Sequence, residues 1–462
     1  MLFSSTIFPY WFLPLVLLLY FLTPKKGKNY LLLLASLFFY FSGDPKYTVL
    51  LIASALLNYL LGLAIACSPK KLKTPLLVLT VVLNIGALLF FKFSDLWIGL
   101  LNGALGTAWK PLPLPLGISF YTFQAMSYTI DVYRGQAKLQ KNPFAFATYL
   151  CLFPQLIAGP IVRYTDVEAE LENRTHSLEG FSDGVCRFAI GFAKKVLLAN
   201  NFGFVCNLFR QAEAPSALFG WLYAISFTLQ IYFDFAGYSD MAIGLGKIFG
   251  FKFPENFNYP YISSSITEFW RRWHMTLSGW FKDYVYIPLG GSRVSLPRWM
   301  LNLLIVWALT GLWHGSGTGI MNFVLWGALY GVLLCMEKLF LGKVWKNCRP
   351  LGHVFVIVVT IFGFVLFGAD GLAGTVSDLA ILFGKGGWVD PQALYYWRSY
   401  GLLLAIAIVG ATPLPKFLWK KLEARAGVAT AVLQPLLVGA ALLLSTAYLV
   451  DSTFNPFLYF RF

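Results

Sequence analysis

The sequence predicts an all-α polytopic membrane protein, a multi-helix bundle around a central cavity with roughly eleven to thirteen membrane elements. Three observations predict it. Hydrophobic residues make up 58% of the chain and charged residues 12%, roughly half the charge of a soluble domain. Long apolar runs recur along the whole length, and the positive charges gather in short loops between them, as the inside-positive bias requires. Several runs are interrupted by proline and glycine, which lipid tolerates only where protein or a wet cavity satisfies the broken backbone.

The elements follow in order. Residues 7–23 form a first span, closed by Lys25, Lys26 and Lys28. A shorter apolar run, 29–42, leads through SGDPK to a full-length one, 48–67. After the basic loop SPKKLKT comes 75–91. Two lysine loops separated by one that is not basic place the N-terminus outside and both lysine loops in the cytoplasm. In 111–130 three early prolines delay the helix to about Leu116, and it ends at Asp131, Tyr133 and Arg134. The stretch 142–162 carries Pro154, Gly159 and Pro160, the signature of a kinked or re-entrant element. Residues 163–183, rich in Asp and Glu, read as a surface loop, and NRT at 173–175 is a glycosylation pattern that arises often by chance. Apolar segments resume at 185–205 and 217–233, and a charged, aromatic stretch runs from Asp234 to Trp299. Two spans flank a glycine cluster, one ending near Trp313 and one starting near Ile320. Further segments lie at 351–368, 397–411 and 428–450, with 374–384 ambiguous. Without a repeat or a long linker, residues 1–462 read as one membrane-embedded domain.

Composition also excludes. The formal net charge of +15 would invite a nucleic-acid partner in a soluble chain, but these cations sit beside apolar runs. Anionic lipid headgroups are the partner they fit. The six cysteines are widely spaced without a CxxC pair, which argues against a zinc knuckle or a disulfide framework. The N-terminus lacks a charged leader and a small-residue cleavage site, so it reads as a retained span.

Chemistry concentrates in two places. From Trp299 to Met336 the chain has no Asp, Glu, Lys or Arg, yet GLWHGSGTG puts His314, one of four histidines, among Gly311, Gly315, Gly317 and Gly319. Ionisable groups at membrane depth are costly and mostly line a pathway, although a lone histidine is often a packed core residue. A neutral imidazole there can take a proton from a hydroxyl within reach. The second place is FWRRWHMTLSGWFKDYVYIPLGGSR, 269–293. Its tryptophans fit an interfacial belt, and Arg271, Arg272, Lys282 and Arg293 reach lipid headgroups or an anionic, thioester-bearing donor. His274 within it is either interfacial or part of the site. Asp234 and Asp240 could orient a histidine or close a helix end; spacing alone does not decide between them. The absence of GxSxG, of a Cys–His pair and of HExxH disfavours a covalent serine or cysteine intermediate and a metal site. Direct attack of a hydroxyl on an activated acyl group needs only a base, an orienting pocket and oxyanion stabilisation.

Several blocks together resemble a known family. They are the opening MLFSSTIF, PLGISFYTFQAMSYTIDVYRG (115–135), FPQLIAGPIVRY (153–164), IYFDFAGYSDMAIGLGKIFGFKFPENFNYPY (231–261), FWRRWHMTLSGWFKDYVYIPLGG (269–291), TGLWHG (310–315) and FNPFLYFRF (454–462). The chain is similar to membrane-bound O-acyltransferases, in their bacterial alginate O-acetylation (AlgI-like) branch. That resemblance implies helices around a tunnel and two characteristic histidines, matched here by His274 and His314, the latter at the family's catalytic position. It further implies a donor entering from the cytoplasm, an acceptor reached from outside and a separate extracytoplasmic acetyltransferase or polysaccharide-export protein as partner. The chain departs from relatives in the glycine-rich link SGTGIMNF and in Tyr330, where several alginate-type members carry a histidine. Both departures bear on which polymer is the acceptor.

The expectation is therefore an inner-membrane O-acyltransferase, passing acetyl groups to an exported, alginate-like polysaccharide or to a partner. His314 is the general base and His274 positions or relays at the cytoplasmic end. Arg271, Arg272 and Lys282 hold lipid or donor phosphate, and Asp234 and Asp240 are orienting candidates. No tightly bound cofactor or metal is expected, the donor being acetyl-CoA or an acyl-carrier thioester. The alternatives are D-alanyl or acetyl transfer to teichoic acid or peptidoglycan, a small-anion transporter in which His314 couples protons, and a structural scaffold for polymer export.

Overall fold

The computed structural model describes residues 3–451, so the FNPFLYFRF block at 454–462 lies outside the described residues. Among the described residues the regular elements are all helices. In order it forms α1 (Leu13–Leu22), α2 (Lys28–Gly43), α3 (Thr48–Cys67), α4 (Lys70–Lys92), α5 (Ser94–Leu105) and α6 (Ile118–Arg134). Next come α7 (Pro143–Cys151), α8 (Phe153–Leu156), α9 (Tyr164–Glu172), α10 (Leu178–Ala193), α11 (Asn200–Gln211) and α12 (Ala217–Ile248). The short α13 (Ile266–Arg272) and α14 (Met275–Phe281) precede α15 (Leu296–His314) and α16 (Ile320–Met336). The chain continues through α17 (Gly342–Asn347), α18 (Arg349–Gly368), α19 (Gly371–Leu382), α20 (Pro391–Gly410), α21 (Leu414–Arg425) and α22 (Gly427–Asp451).

Among the described residues, seven helices are long and apolar enough to cross a bilayer: Thr48–Cys67, Lys70–Lys92, Leu296–His314, Ile320–Asn347, Arg349–Gly368, Pro391–Gly410 and Gly427–Asp451. The segments Phe8–Leu22 and Gly371–Leu382 are apolar but shorter. The fold class is thus the all-α, polytopic membrane bundle that the hydropathy pattern predicts.

The structure corrects two details. Residues 164–172, expected as surface loop, form α9, because the Asp166 carboxylate accepts the Arg163 N–H at 2.8 Å and closes the first turn. Tyr164, Val167 and Leu171, at helical spacing, bury the other face. The apolar segment expected at 217–233 extends further as helix, since α12 runs unbroken through Asp234 and Asp240 to Ile248. The ambiguous segment near 374–384 is helix α19. The proline-broken stretch 142–162 forms two short helices, followed by non-helical backbone after Leu156.

The chain divides into two compact units. The first comprises residues to Phe188 together with Tyr238–Glu255. An aromatic cluster fills it: Phe8, Phe39 and Phe153 surround Phe3, whose ring stacks on Tyr238 at 4.7 Å. Asn58 and Asn84 exchange amide hydrogen bonds of 3.1 and 2.8 Å between α3 and α4, the polar pairing by which apolar spans fix their register. The second unit comprises Ala189–Gly237 and residues from Asn256 onward. Its core is also aromatic, with Trp270, Trp307, Trp326, Tyr330 and Phe367 at the centre.

In the second unit α15 and α16 form a hairpin whose approach depends on glycine. A Cβ at Gly311 would fall on the carbonyl of Phe323, and one at Gly327 on the carbonyl of Trp307. Gly327 and Gly331, four residues apart on α16, give the small-residue face that lets membrane helices meet backbone to backbone. Gly317, at φ +62°, then turns the chain between the two helices. This hairpin holds His314 at the last residue of α15.

Candidate active site

His314 ends α15 with its side chain buried (7% exposed). Three aromatic rings surround the imidazole edge-on: Trp313 at 4.8 Å, Trp326 at 5.4 Å and Phe367 at 5.4 Å between ring centroids. Such a cage of edge-on aromatic contacts restrains the orientation of the ring.

His274 lies at the junction of α13 and α14, outside the seven apolar spans, and is 2% exposed. Its backbone is left-handed, with φ +43°, a conformation that costs a non-glycine residue about 1–3 kcal/mol and persists only where the surroundings enforce it. Hydrogen bonds on both sides enforce it here. The Asn258 N–H donates to Arg272 O at 2.9 Å, and the Met275 N–H donates to Asn256 O at 2.9 Å. The ring packs edge-on against Phe235 at 4.6 Å, and its Nδ1 lies 3.1 Å from Asn256 Oδ1. Burial, and then the like charge of His314, push the imidazolium of His274 well below its ordinary pKa, so the ring is neutral at pH 7.

α13 is set by its own caps. Ser265 accepts the Glu268 N–H at 3.1 Å, and Glu268 accepts the Ser264 N–H at 2.9 Å, a variant of the capping box. From the turn just after α16, the Glu337 carboxylate accepts the N–H groups of Ile266 (2.7 Å) and Thr267 (3.1 Å). The helix then presents Trp270 and Arg271 to a cavity of about 850 Å³. Both His274 and His314 line this cavity. So do Arg271, Lys282, Lys338, Lys343, Lys346 and Arg349, which are exposed, with Glu337 as the acidic member of the lining. The cavity therefore runs from exposed cations to two buried imidazoles.

The sequence candidates distribute as follows. His314, His274, Arg271 and Lys282 come together on this one cavity. Arg272 does not line it; the guanidinium bonds Glu268 at 3.0 Å and Asn258 O at 3.1 Å, bracing the turn before His274. Asp234 forms a buried ion pair with Lys195 at 2.5 Å, one residue before the Phe235 that packs on His274. Asp240 belongs to the other unit, where Arg187 bridges it at 2.9 Å to Glu255. Sequence reading missed two groups. Lys338, Lys343, Lys346 and Arg349 were legible as a basic run closing an apolar span. Asn256, inside PENFN, carried no signal beyond being a polar residue between aromatics.

A hydroxyl and an activated acyl group held between a neutral imidazole and a cationic mouth have what acyl transfer needs: a base, an orienting pocket and positive charge for an anionic donor. Comparison with known proteins bears on that reading. The family model described as MBOAT, membrane-bound O-acyltransferase family, matches residues 135–369, which include every residue lining the cavity. Over 431 residues the chain is 40% identical to the "Probable alginate O-acetylase AlgI" of Azotobacter vinelandii, covering 90% of this chain and 86% of that one. The "Probable alginate O-acetylase AlgI" of Pseudomonas putida is 37% identical over 490 residues, covering 100% of both chains. The "Peptidoglycan O-acetyltransferase" of Helicobacter pylori is 34% identical over 431 residues, covering 84% of this chain and 80% of that one.

Proposed function

The chain belongs to the membrane-bound O-acyltransferase family, and from that membership we propose that this multi-pass inner-membrane enzyme passes acetyl groups toward an exported, alginate-like polysaccharide. The observation that carries the proposal is the cavity joining exposed cations to His274 and His314. The inside-positive bias supports a mouth this rich in Lys and Arg opening to the cytoplasm, and, in the first unit, the lysine loops around Lys25 and Lys70 support an N-terminus outside.

In this reading the donor is acetyl-CoA or an acyl-carrier thioester, whose phosphates meet Arg271, Lys282, Lys343, Lys346 and Arg349. The acceptor hydroxyl oxygen attacks the thioester carbonyl carbon, His314 takes the hydroxyl proton, and the C–O bond forms. The C–S bond then breaks, and the proton on His314 passes to the departing thiolate. His274, neutral and on the same wall, positions the reacting groups or relays the proton. The acceptor is the polymer itself or an extracytoplasmic acetyltransferase that completes delivery. Identity to the alginate relatives supports a uronic-acid polymer; the relative named for peptidoglycan supports muropeptide hydroxyls as the second reading.

The test is reconstituted protein with labelled acetyl-CoA and, in separate arms, de-acetylated uronic-acid polymer, peptidoglycan fragments and a candidate partner acetyltransferase. Label on the polymer or the partner is the expected result. Label confined to peptidoglycan selects the second reading, and no transfer to any of them rejects the proposal.

A charge-reversed mouth separates binding from chemistry. Changing Lys343, Lys346 and Arg349 together to Glu is expected to raise KM for the thioester by about tenfold or more, with kcat nearly kept. Raising salt is expected to weaken the wild type in the same direction. Steady-state kinetics at two ionic strengths checks both.

A further inference from the structure

A side-chain amide fixes which nitrogen of His274 carries the proton. Asn256 is fully buried and lies in the segment before α13. Its Oδ1 accepts the backbone N–H of Thr276 at 3.3 Å and the Thr276 hydroxyl at 2.9 Å. A backbone N–H can only donate, so the atom that receives it is the amide oxygen. The same oxygen lies 3.1 Å from His274 Nδ1. An oxygen without a proton of its own requires that Nδ1 be the donor. A neutral ring protonated at Nδ1 has its lone pair on Nε2.

The backbone secures this arrangement independently. Asn256 O accepts Met275 N–H, and Asn258 N–H bonds Arg272 O, so the 256–258 segment grips the chain on both sides of His274. The left-handed φ of +43° at His274 is the conformation this grip maintains. The ring also meets Phe235 at 4.6 Å and Trp313 at 6.1 Å, and His314 is an ionisable group acting on it.

We propose that Asn256 is a positioning residue that holds His274 as the Nδ1–H tautomer, so that Nε2 is the atom that accepts or relays a proton in the cavity. This deepens the acyl-transfer reading and rests on it only for the consequence, not for the tautomer. Asn256 acts through His274 and need not touch a substrate.

The experiment has two arms. In the first, full-length protein in nanodiscs, labelled with ¹⁵N-histidine, is compared with H274Q to assign the His274 signals. A protonated, pyrrole-type Nδ1 and a pyridine-type Nε2 are expected; the reverse pattern overturns the proposal. In the second, N256D and N256A are followed by the same signals against pH and by labelled acetyl transfer. An aspartate at 256 keeps the acceptor and adds negative charge, so His274 is expected to titrate about one pH unit or more higher. The acid limb of the transfer rate is expected to move up with it. N256A is expected to mix the tautomers and lower kcat by about tenfold or more, with donor KM little changed. A merely structural asparagine would lower the yield of folded protein in both variants without moving the titration, and that outcome refutes the proposal. If wild type transfers no acetyl group, the acyl-transfer reading falls while the first arm still decides the tautomer.

Discussion

Replacing His314 with glutamine leaves a folded, membrane-inserted protein whose acetyl transfer falls by about 10²–10⁴-fold, the usual worth of a positioned general base. Glutamine nearly fills the space between Trp313, Trp326 and Phe367 but cannot take up a proton at neutral pH. The loss is therefore expected in kcat, with KM for the thioester close to wild type, because the cations proposed to meet the donor lie elsewhere in the lining. Single-turnover transfer from labelled acetyl-CoA, beside a thermal unfolding curve of each protein, makes the measurement. Transfer at the normal rate by well-folded H314Q removes His314 from the chemistry.

The second large effect is structural. Gly327→Val is expected to separate α15 from α16, because any Cβ there lands on the Trp307 carbonyl, and a backbone carbonyl cannot swing aside as a side-chain tip can. Overpacking a tight site costs about 1–3 kcal/mol, which appears as a lower unfolding temperature. Because α15 carries His314 at its last residue, transfer is expected to fall with it. The control is Gly401→Val on α20, where a Cβ meets nothing within 4 Å; it is expected to leave both stability and transfer unchanged. Equal stability of the two variants would show that the hairpin does not depend on the small-residue face.

Much of this was legible in the sequence because hydropathy, charge placement and proline are local signals. The run 48–67 reads as a span and is one, residue for residue. His314 stood out because an ionisable group is conspicuous where no other charge occurs for almost forty positions (Trp299 to Met336). Partnership was not legible. Arg271 and Arg272 are adjacent in sequence and equally basic, yet one lines the cavity and the other braces a turn through Glu268 and Asn258. The difference is the direction each leaves a seven-residue helix, which composition does not carry. Asp234 and Asp240, only six positions apart on α12, pair with Lys195 and Arg187, each in a different unit. The acidic loop expected at 163–183 failed for a similar reason: charge density hid a helical period in Tyr164, Val167 and Leu171.

The carboxylate of Glu337 belongs to the segment that leads into α17, and it grips the first two amides of α13. Glu337 thus ties the stretch that goes on to Lys338, Lys343 and Lys346 to the helix that presents Trp270 and Arg271, so that one carboxylate braces both the cationic and the aromatic lining.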